Sequence, residues 1–169
     1  GGNGGDIIHG GNGDDTINGN TGDDFIYGGN GNDVLNGNGN NNTIYGGEGD
    51  DDILYATTGY GGAGDDSIAG SLAMDSYLEG NEGDDYIRGN SGNNIIYGGD
   101  GNDVLYGDGF GYGGGNNIIH GDAGNDSIYG DEGADTLYGG EGNDVIEGYD
   151  GADTISGDAG DDSLAGEKG

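Results

Sequence analysis

Aliphatic residues recur every nine positions along this chain. The segment GGNGNDVLN, residues 28–36, has the order Gly-Gly-x-Gly-x-Asp-x-aliphatic-x, and seventeen copies of that frame can be counted. Position eight is Ile or Leu in every copy, and Thr, Ile, Val and Tyr are frequent on either side of it. One inward residue between two outward ones is the pattern of a short β-strand. The sequence therefore predicts an all-β protein with one short strand in each copy.

The copies form three blocks, residues 1–54, 61–106 and 112–165. Residues 55–60 and 107–111 interrupt the period, and the remnant of a next repeat occupies residues 166–169. Because the phase resumes after each interruption, we expect one domain over residues 1–165, with both insertions bulging from turns. Division into three shorter domains is the alternative.

Positions one to five of each copy favour a tight turn. Gly stands at position one, at position four and often at position two, and Gly adopts the positive φ angles of tight turns without steric cost. Two units per turn of a coil would keep every position eight inside and make each strand parallel to the strand one turn away. The chain then makes about eight turns, with the position-six residues in two rows, one along each edge.

Apolar residues are too few for an ordinary core, and acidic residues dominate the charge. Only 29% of the residues are hydrophobic, Gly supplies 48 residues, and 34 acidic residues against two basic ones give a net charge of −32. A chain of this composition stays disordered unless a counter-ion is bound. The lack of basic residues excludes nucleic acid as a direct partner, and we expect no membrane insertion because no stretch has the length of a membrane span.

The acidic residues recur at a fixed phase, which indicates a metal site in each turn. Position six is Asp in fourteen copies and Asn in three. Carboxylates beside the carbonyls of a flexible turn are hard oxygen ligands, which suit the six to eight ligands of Ca²⁺ better than the strict octahedron of Mg²⁺. One ion between each loop and the next loop on the same edge gives about fifteen sites, whose charge nearly balances that of the chain.

The consensus GGxGxDxUx, in which U is aliphatic, resembles the calcium-binding nonapeptide repeat of RTX (repeats-in-toxin) proteins. The copies GGNGDDTIN, GGDGNDVLY and GGEGNDVIE match it at every defined position and occupy residues 10–18, 98–106 and 139–147. The resemblance implies a right-handed parallel β-roll (a β-solenoid) in which six residues form a calcium turn and three form a strand. It also implies export by the type I secretion machinery of a Gram-negative bacterium, with an unfolded chain inside the cell and folding on Ca²⁺ outside.

The resemblance further implies which residues bind the ions. The side-chain ligands would be the position-six aspartates Asp6, Asp15, Asp24, Asp33, Asp51, Asp66, Asp75, Asp85, Asp103, Asp126, Asp135, Asp144, Asp153 and Asp162. Asn42, Asn94 and Asn117 would be neutral ligands at best, so their sites would be weaker or empty. The backbone carbonyl ligands would be those of Gly11, Gly13, Gly29, Gly31, Gly47, Gly49, Gly99, Gly101, Gly140 and Gly142. The resemblance is weakest at Asp75, because its copy GSLAMDSYLE, residues 70–79, lacks the glycines and has one extra residue.

The aromatic residues of position nine have two interpretations. His9 and His120 stand there, as do Tyr27, Tyr45, Tyr97, Tyr106, Tyr129 and Tyr138. Stacking between neighbouring strands explains the tyrosines, and a carbohydrate- or surface-binding stripe is the alternative. For the histidines, an ordinary outward strand position is favoured over a metal or catalytic role.

We predict a non-catalytic, calcium-dependent folding module of a secreted or cell-surface bacterial protein, with calcium ions as its cofactor. The alternative is a self-assembling subunit of a calcium-stabilised extracellular fibre or surface layer, built by head-to-tail stacking of β-rolls. The expected partners are therefore calcium ions, the type I secretion machinery of a parent protein and, in the alternative, further copies of the chain.

Overall fold

The computed structural model describes residues 1–109 and 114–167, and these contain eighteen β-strands and no helix. The strands are β1 (Ile7–Asn12), β2 (Thr16–Asn18), β3 (Phe25–Asn30), β4 (Val34–Asn36), β5 (Thr43–Glu48), β6 (Asp52–Ala56), β7 (Thr58–Ala63), β8 (Ser67–Gly70), β9 (Tyr77–Glu82), β10 (Tyr86–Arg88), β11 (Ile95–Asp100), β12 (Val104–Tyr106), β13 (Ile118–Ala123), β14 (Ser127–Tyr129), β15 (Thr136–Glu141), β16 (Val145–Glu147), β17 (Thr154–Ala159) and β18 (Ser163–Ala165).

Alternate strands build two parallel sheets that face each other. One sheet contains all the odd-numbered strands in chain order, and the other contains all the even-numbered strands. The chain passes from one sheet to the other twice in each turn, so the eighteen strands make nine turns of a β-solenoid. The predicted all-β parallel roll is confirmed. A search of the described residues for a helix long and apolar enough to cross a membrane finds none.

The position-eight side chains form one column inside the coil. Ile26 pairs in register with Ile44 in the first sheet, and Leu35 pairs with Ile53 in the second. Every aliphatic residue at this position from Ile26 onward is buried as far as Ile146, whereas Leu164 in the last strand is 49% exposed. The core is therefore one continuous cluster, only two side chains wide.

Residues 55–60 belong to the coil instead of bulging from a turn. They lead into β7, where Gly59 pairs with Ile44 on one side and with Leu78 on the other, in the position of the aliphatic residue. A Cβ atom on Gly59 would lie 3.1 Å from the Cβ of Ala56, which is fully buried. Ala56 thus fills part of the space that an aliphatic side chain occupies elsewhere. The interpretation of these residues as a bulging insertion is wrong, because they complete a shortened half-turn.

The second interruption lengthens a turn without breaking the stack. Asp103 and Asp126 are 23 residues apart, yet the backbone N–H of Asp103 donates a 2.8 Å hydrogen bond to Oδ1 of Asp126, as in the regular turns of 18 residues. The predicted bulge at residues 107–111 lies partly outside the described residues, and so does the end of the remnant at residues 166–169.

Aromatic rings at position nine stack along the first sheet. The ring centroids of His9 and Tyr27 are 4.7 Å apart, those of Tyr27 and Tyr45 are 4.9 Å apart, and those of Tyr45 and Tyr60 are 4.8 Å apart. Further stacked pairs of the first sheet are Tyr97 with His120 and His120 with Tyr138, and Tyr106 stacks with Tyr129 in the second sheet. The predicted stacking between strands is confirmed. Because these ring faces lie against one another, they are not available for face-on contact with a sugar ring.

Candidate metal centre

The position-six side chains form two rows along opposite edges of the coil, and the two rows differ in composition. The acidic edge, where the chain passes from an odd-numbered to an even-numbered strand, carries only aspartates: Asp15, Asp33, Asp51, Asp66, Asp85, Asp103, Asp126, Asp144 and Asp162. The mixed edge, where the chain returns to the odd-numbered strands, carries Asp6, Asp24, Asn42, Thr57, Ser76, Asn94, Asn117, Asp135 and Asp153.

Hydrogen bonds join the rows from loop to loop. On the acidic edge the backbone N–H of Asp33 donates to Oδ1 of Asp51 at 2.8 Å, and that of Asp51 donates to Oδ1 of Asp66 at 2.7 Å. The same bond links each aspartate of that edge to the next. One carboxylate oxygen of every loop is therefore fixed by the backbone of its neighbour, and the second oxygen is held in a set direction.

The second carboxylate oxygens are buried and accept no hydrogen bond from the described residues. These Oδ2 atoms belong to Asp15, Asp24, Asp33, Asp51, Asp66, Asp85, Asp103, Asp126, Asp135, Asp144 and Asp153. A buried polar atom without a partner is costly and is rare in folded proteins. A regular column of them indicates that an atom of opposite charge belongs beside them.

A backbone carbonyl lies near the Oδ2 atom of every aspartate on the acidic edge except Asp162, which is in the last loop. A Cβ on Gly98, at position one, would clash with Oδ2 of Asp103 and lie 2.7 Å from the carbonyl oxygen of Gly121 in the next loop. The same arrangement surrounds Gly139, with Asp144 and the carbonyl oxygen of Gly157 at 2.6 Å. A side chain larger than that of Gly would fill this space, which is bordered by a carbonyl oxygen and by an Oδ2 atom that accepts no hydrogen bond.

Burial and mutual repulsion make these carboxylates hard to ionise without a cation. Burial, opposed by a backbone hydrogen bond and reinforced by neighbouring carboxylates, raises the pKa of Asp66 to about 7, that of Asp85 to about 8 and that of Asp126 to about 7. A divalent cation between the stacked oxygens would remove that cost. The donors are all hard oxygens, from one carboxylate and one or more carbonyls per loop, and they fit Ca²⁺.

The ligand set must combine side chains with the backbone. Within residues 1–109 and 114–167 no group of three or more His, Cys, Asp or Glu side chains is arranged to hold a metal. His9 and His120 lie in the stacked rings of the first sheet rather than on an edge. Any cation in these rows would therefore be held mainly by the backbone carbonyl oxygens of stacked loops. Each loop with Asp at position six would add one carboxylate.

The carbonyls that lie nearest the carboxylates are those of position one, and these are not among the predicted ligands. The carbonyl oxygen of Gly13 lies 2.8 Å from the site of a Cβ on Gly31, so this position-four carbonyl points at the next loop. The position-two carbonyl of Gly11 points at Gly29 in the same way. Ligation by the carbonyls of positions two and four stays a prediction, and the position-one carbonyls are added to it.

Every predicted aspartate except Asp75 lies in one of the two rows. Asp75 is exposed, and Ser76 takes the place in the row, since the backbone N–H of Ser76 donates to Oδ1 of Asn94 at 2.9 Å. Asp75 instead accepts a 2.8 Å hydrogen bond from the backbone N–H of Asn93, as position-five residues do. Asp75 therefore stands at position five, outside the row, because the extra residue of its copy lies before it, and its doubtful assignment as a ligand stays a prediction. Counting back from Leu78 at position eight would have identified Ser76.

The family comparison agrees with this geometry. A family model described as the RTX calcium-binding nonapeptide repeat (4 copies) matches residues 1–35, 27–57, 79–110, 112–146 and 138–169. The matches leave out only residues 58–78 and 111, and the first of these segments holds β7, β8 and the irregular copy around Asp75. No curated protein matches the chain.

Proposed function

The chain belongs to the RTX calcium-binding nonapeptide repeat family, and from this we propose that it is a non-catalytic module that folds when Ca²⁺ binds to its loops. Repeats of this family bind Ca²⁺ and typify secreted bacterial proteins. We propose further that Ca²⁺ binding and folding are one process in this chain. The column of buried Oδ2 atoms that accept no hydrogen bond supports it most directly.

The geometry explains why binding and folding would be coupled. Each Oδ2 atom meets a carbonyl of the next loop only after two turns have stacked, so these two ligands of one site lie 13 residues apart in most of the chain, as Asp33 and Gly46 do. Such a site does not exist in the unfolded chain, and the binding free energy then becomes folding free energy. Bound Ca²⁺ supplies the positive charge that lets the carboxylates ionise inside the stack.

The same coupling suits a secreted protein. The net charge of −32 opposes compaction wherever Ca²⁺ is scarce. Calcium sites of extracellular modules have dissociation constants of about 10⁻⁴–10⁻³ M, so the chain would stay unfolded in the cytoplasm and fold outside. We therefore propose export in the unfolded state, through the type I secretion machinery of a parent protein, and folding at the cell surface or in the medium.

A calcium titration followed by far-UV circular dichroism tests the proposal. We expect a disordered spectrum in excess chelator, a cooperative gain of β-structure as Ca²⁺ rises, and little gain with Mg²⁺ at the same concentrations. A spectrum that is already folded in chelator and does not change on adding Ca²⁺ would contradict the proposal.

Head-to-tail self-association is a second candidate, favoured by the last strand. Leu164 occupies the core position of β18 but is 49% exposed, and β18 pairs only with β16. A further repeat stacked on this turn would bury Leu164, whether it comes from the same polypeptide or from another copy of the chain. Light scattering of the 169-residue chain distinguishes the two: assembly that requires Ca²⁺ and is lost in Leu164→Lys supports self-association, and a monomer at high concentration opposes it.

A further inference from the structure

We infer that Ca²⁺ binds along the whole acidic edge but only near the ends of the mixed edge, whose middle is held by side-chain hydrogen bonds in place of ions. This inference rests on the proposed function and adds which loops carry it out. It concerns five consecutive loops of the mixed edge, those of Asn42, Thr57, Ser76, Asn94 and Asn117. None of the five has a carboxylate at position six.

The backbone fixes the orientation of the Asn94 amide. The N–H of Ser76 donates to Oδ1 of Asn94 at 2.9 Å, as each backbone N–H of the acidic edge donates to an aspartate Oδ1. The amide nitrogen must then take the direction that Oδ2 takes in an aspartate. It donates to the carbonyl oxygens of Gly107 at 3.0 Å and Gly92 at 3.1 Å.

Comparison of Asn94 with Asp103 in the next loop along the chain shows what the amide replaces. Beside Asp103, the carboxylate Oδ2 and the carbonyl of Gly121 face one small space with no donor. Beside Asn94, the same space lies between the amide nitrogen and the carbonyl of Gly107, and an N–H points directly at the carbonyl. The amide hydrogen thus supplies the partial positive charge that a cation would supply, and it repels a cation from the same position.

Asn117 and Asn42 repeat the arrangement. The amide nitrogen of Asn117 lies 3.4 Å from the carbonyl oxygen of Gly130 in the next loop, whereas that of Asn42 donates to the carbonyl oxygen of Gly39 in its own loop at 2.5 Å, as Asn94 does to Gly92. Their Oδ1 atoms accept backbone N–H groups at 2.9 Å, so neither amide can turn without breaking that bond. All three asparagines are buried.

Hydroxyl groups take this role in the two loops between the asparagines. The hydroxyl of Ser76 donates to the carbonyl oxygen of Ala56 at 3.3 Å and accepts the backbone N–H of Ser71 at 2.9 Å. The hydroxyl of Thr57 donates to the carbonyl oxygen of Asn40 at 2.9 Å. None of these five position-six side chains has a buried polar atom without a partner, whereas eight aspartates of the acidic edge do.

Asp108 is a buried carboxylate beside this stretch that does not stand at position six, and both its oxygens already have partners. Its Oδ2 atom accepts the backbone N–H of Gly114 at 3.0 Å, and its Oδ1 atom lies 3.5 Å from the amide nitrogen of Asn117. Asp108 therefore stabilises the lengthened loop and does not restore the missing position-six carboxylate.

The number of ions follows from the positions of the carboxylates. Nine stacked loops on the acidic edge enclose eight spaces, each bordered by one aspartate Oδ2 and by a carbonyl of the next loop. On the mixed edge, within residues 1–109 and 114–167, only the spaces beside Asp6, Asp24 and Asp135 are bordered in this way. We therefore expect about eleven bound ions instead of sixteen, the number for a site in every space between stacked loops.

Equilibrium dialysis at saturating Ca²⁺ and 0.15 M salt, with the metal measured by atomic absorption, tests this count. About eleven ions per chain supports the inference, and sixteen overturns it while leaving the proposed function intact. A chain that binds no Ca²⁺ would refute both.

A matched pair of variants provides a test that does not depend on the absolute count. Asn94→Asp creates a carboxylate oxygen beside the Gly107 carbonyl and is expected to add one ion. Asp103→Asn, in the next loop and on the acidic edge, replaces a carboxylate by an amide and is expected to remove one. An unchanged count in Asn94→Asp would overturn the inference, because it would mean that the space beside Asn94 already holds an ion. If Asp103→Asn fails to fold at saturating Ca²⁺, Asn94→Asp alone decides.

Discussion

The backbone N–H of Asp85 donates a 2.8 Å hydrogen bond to Oδ1 of Asp103, one turn further along the coil. This bond fixes one oxygen of the Asp103 carboxylate and directs the other, Oδ2, to the carbonyl of Gly121 in the following loop. Repeated along the acidic edge, it converts a nine-residue sequence period into a column of oxygen pairs. The backbone hydrogen bonds thus position the candidate ligands, and each candidate cation site is formed by two stacked loops rather than by one.

The space between these oxygens depends on Gly at position one. In Gly98→Ala the added Cβ would clash with Oδ2 of Asp103 and lie 2.7 Å from the Gly121 carbonyl oxygen, so it would displace both ligands. We expect the free energy of unfolding at saturating Ca²⁺ to fall by about 1–3 kcal/mol from overpacking, with a further loss from the weakened site. Urea unfolding measures the first effect, and the calcium midpoint of folding measures the second.

Gly2→Ala is the control, because a Cβ on Gly2 meets nothing within 4 Å. We expect its stability and calcium midpoint to equal those of the natural chain. Equal values for Gly98→Ala would show that position one does not border a metal site.

Ring stacking contributes separately from the metal rows. Tyr45 stacks between Tyr27 and Tyr60 with centroid distances of 4.9 and 4.8 Å. Each such pair contributes about 0.5–1.5 kcal/mol beyond simple burial, so Tyr45→Ala should lower the free energy of unfolding by about 1–3 kcal/mol. Tyr45→Phe keeps the ring and should retain most of the stability in the same urea experiment. A loss as large in Tyr45→Phe as in Tyr45→Ala would place the contribution in the hydroxyl group instead.

Acid should partly replace Ca²⁺ in the metal-free chain. The pKa values of Asp66, Asp85 and Asp126 in the fold are raised by burial to about 7 or 8, above the value of about 3.9 in an unfolded chain. A group whose pKa is raised by folding stabilises the fold fully at pH below its unfolded pKa and loses that contribution as pH rises through the folded pKa. Without Ca²⁺, β-structure should therefore increase as pH falls from 8 to 5, above the isoelectric point of about 4.1.

Far-UV circular dichroism in calcium-free buffer measures this change. With saturating Ca²⁺ we expect the opposite trend, since protons compete with the ion for the same carboxylates. A metal-free spectrum that is equally disordered at pH 5 and pH 8 would contradict the assignment of these buried groups.

The period of the sequence was enough to predict the coil, because each level of structure repeats with it. One aliphatic residue in nine, as at Ile26 and Leu35, gives a single inward side chain per strand, and the parallel stack is the arrangement that buries all of them. Position six lies in the turn that precedes each strand, so the position-six aspartates lie along the edges of the coil. The fold class and the placement of the position-six side chains in two rows were therefore predictable without any knowledge of contacts.

The difference between the edges was not predictable from a count in steps of nine. Residues 55–60 have no aliphatic residue at position eight. A count of nine-residue copies therefore omits them, although they complete a half-turn. The stack shows it, because Asp51 bonds to Asp66 across 15 residues instead of 18. Once this half-turn is included, every position-six residue other than Asp lies on the mixed edge. The near balance between the net charge of −32 and the charge of fifteen Ca²⁺ ions is also misleading as a count of sites. Exposed carboxylates such as Asp14 contribute to the net charge but lie outside both rows.

A last prediction concerns the packing of side chains in the shortened half-turn. Gly59 stands in the column of aliphatic residues, and a Cβ there would lie 3.1 Å from Ala56, 3.2 Å from Leu78 and 3.3 Å from Ile68. Gly59→Ala should therefore destabilise the protein by about 1–3 kcal/mol, although it adds a core methyl group and removes a flexible residue. Ala56→Gly alone should also destabilise it, because it removes a fully buried methyl group.

The double variant separates packing from backbone effects. If Ala56 and Gly59 share one space, the loss in Gly59→Ala/Ala56→Gly will be smaller than the sum of the two single losses, by about 0.5–3 kcal/mol in a urea-unfolding cycle at saturating Ca²⁺. Additive losses would mean that Ala56 does not fill the place of the missing aliphatic side chain. The shortened half-turn would then be held by its backbone pairing with Ile44 and Leu78 alone.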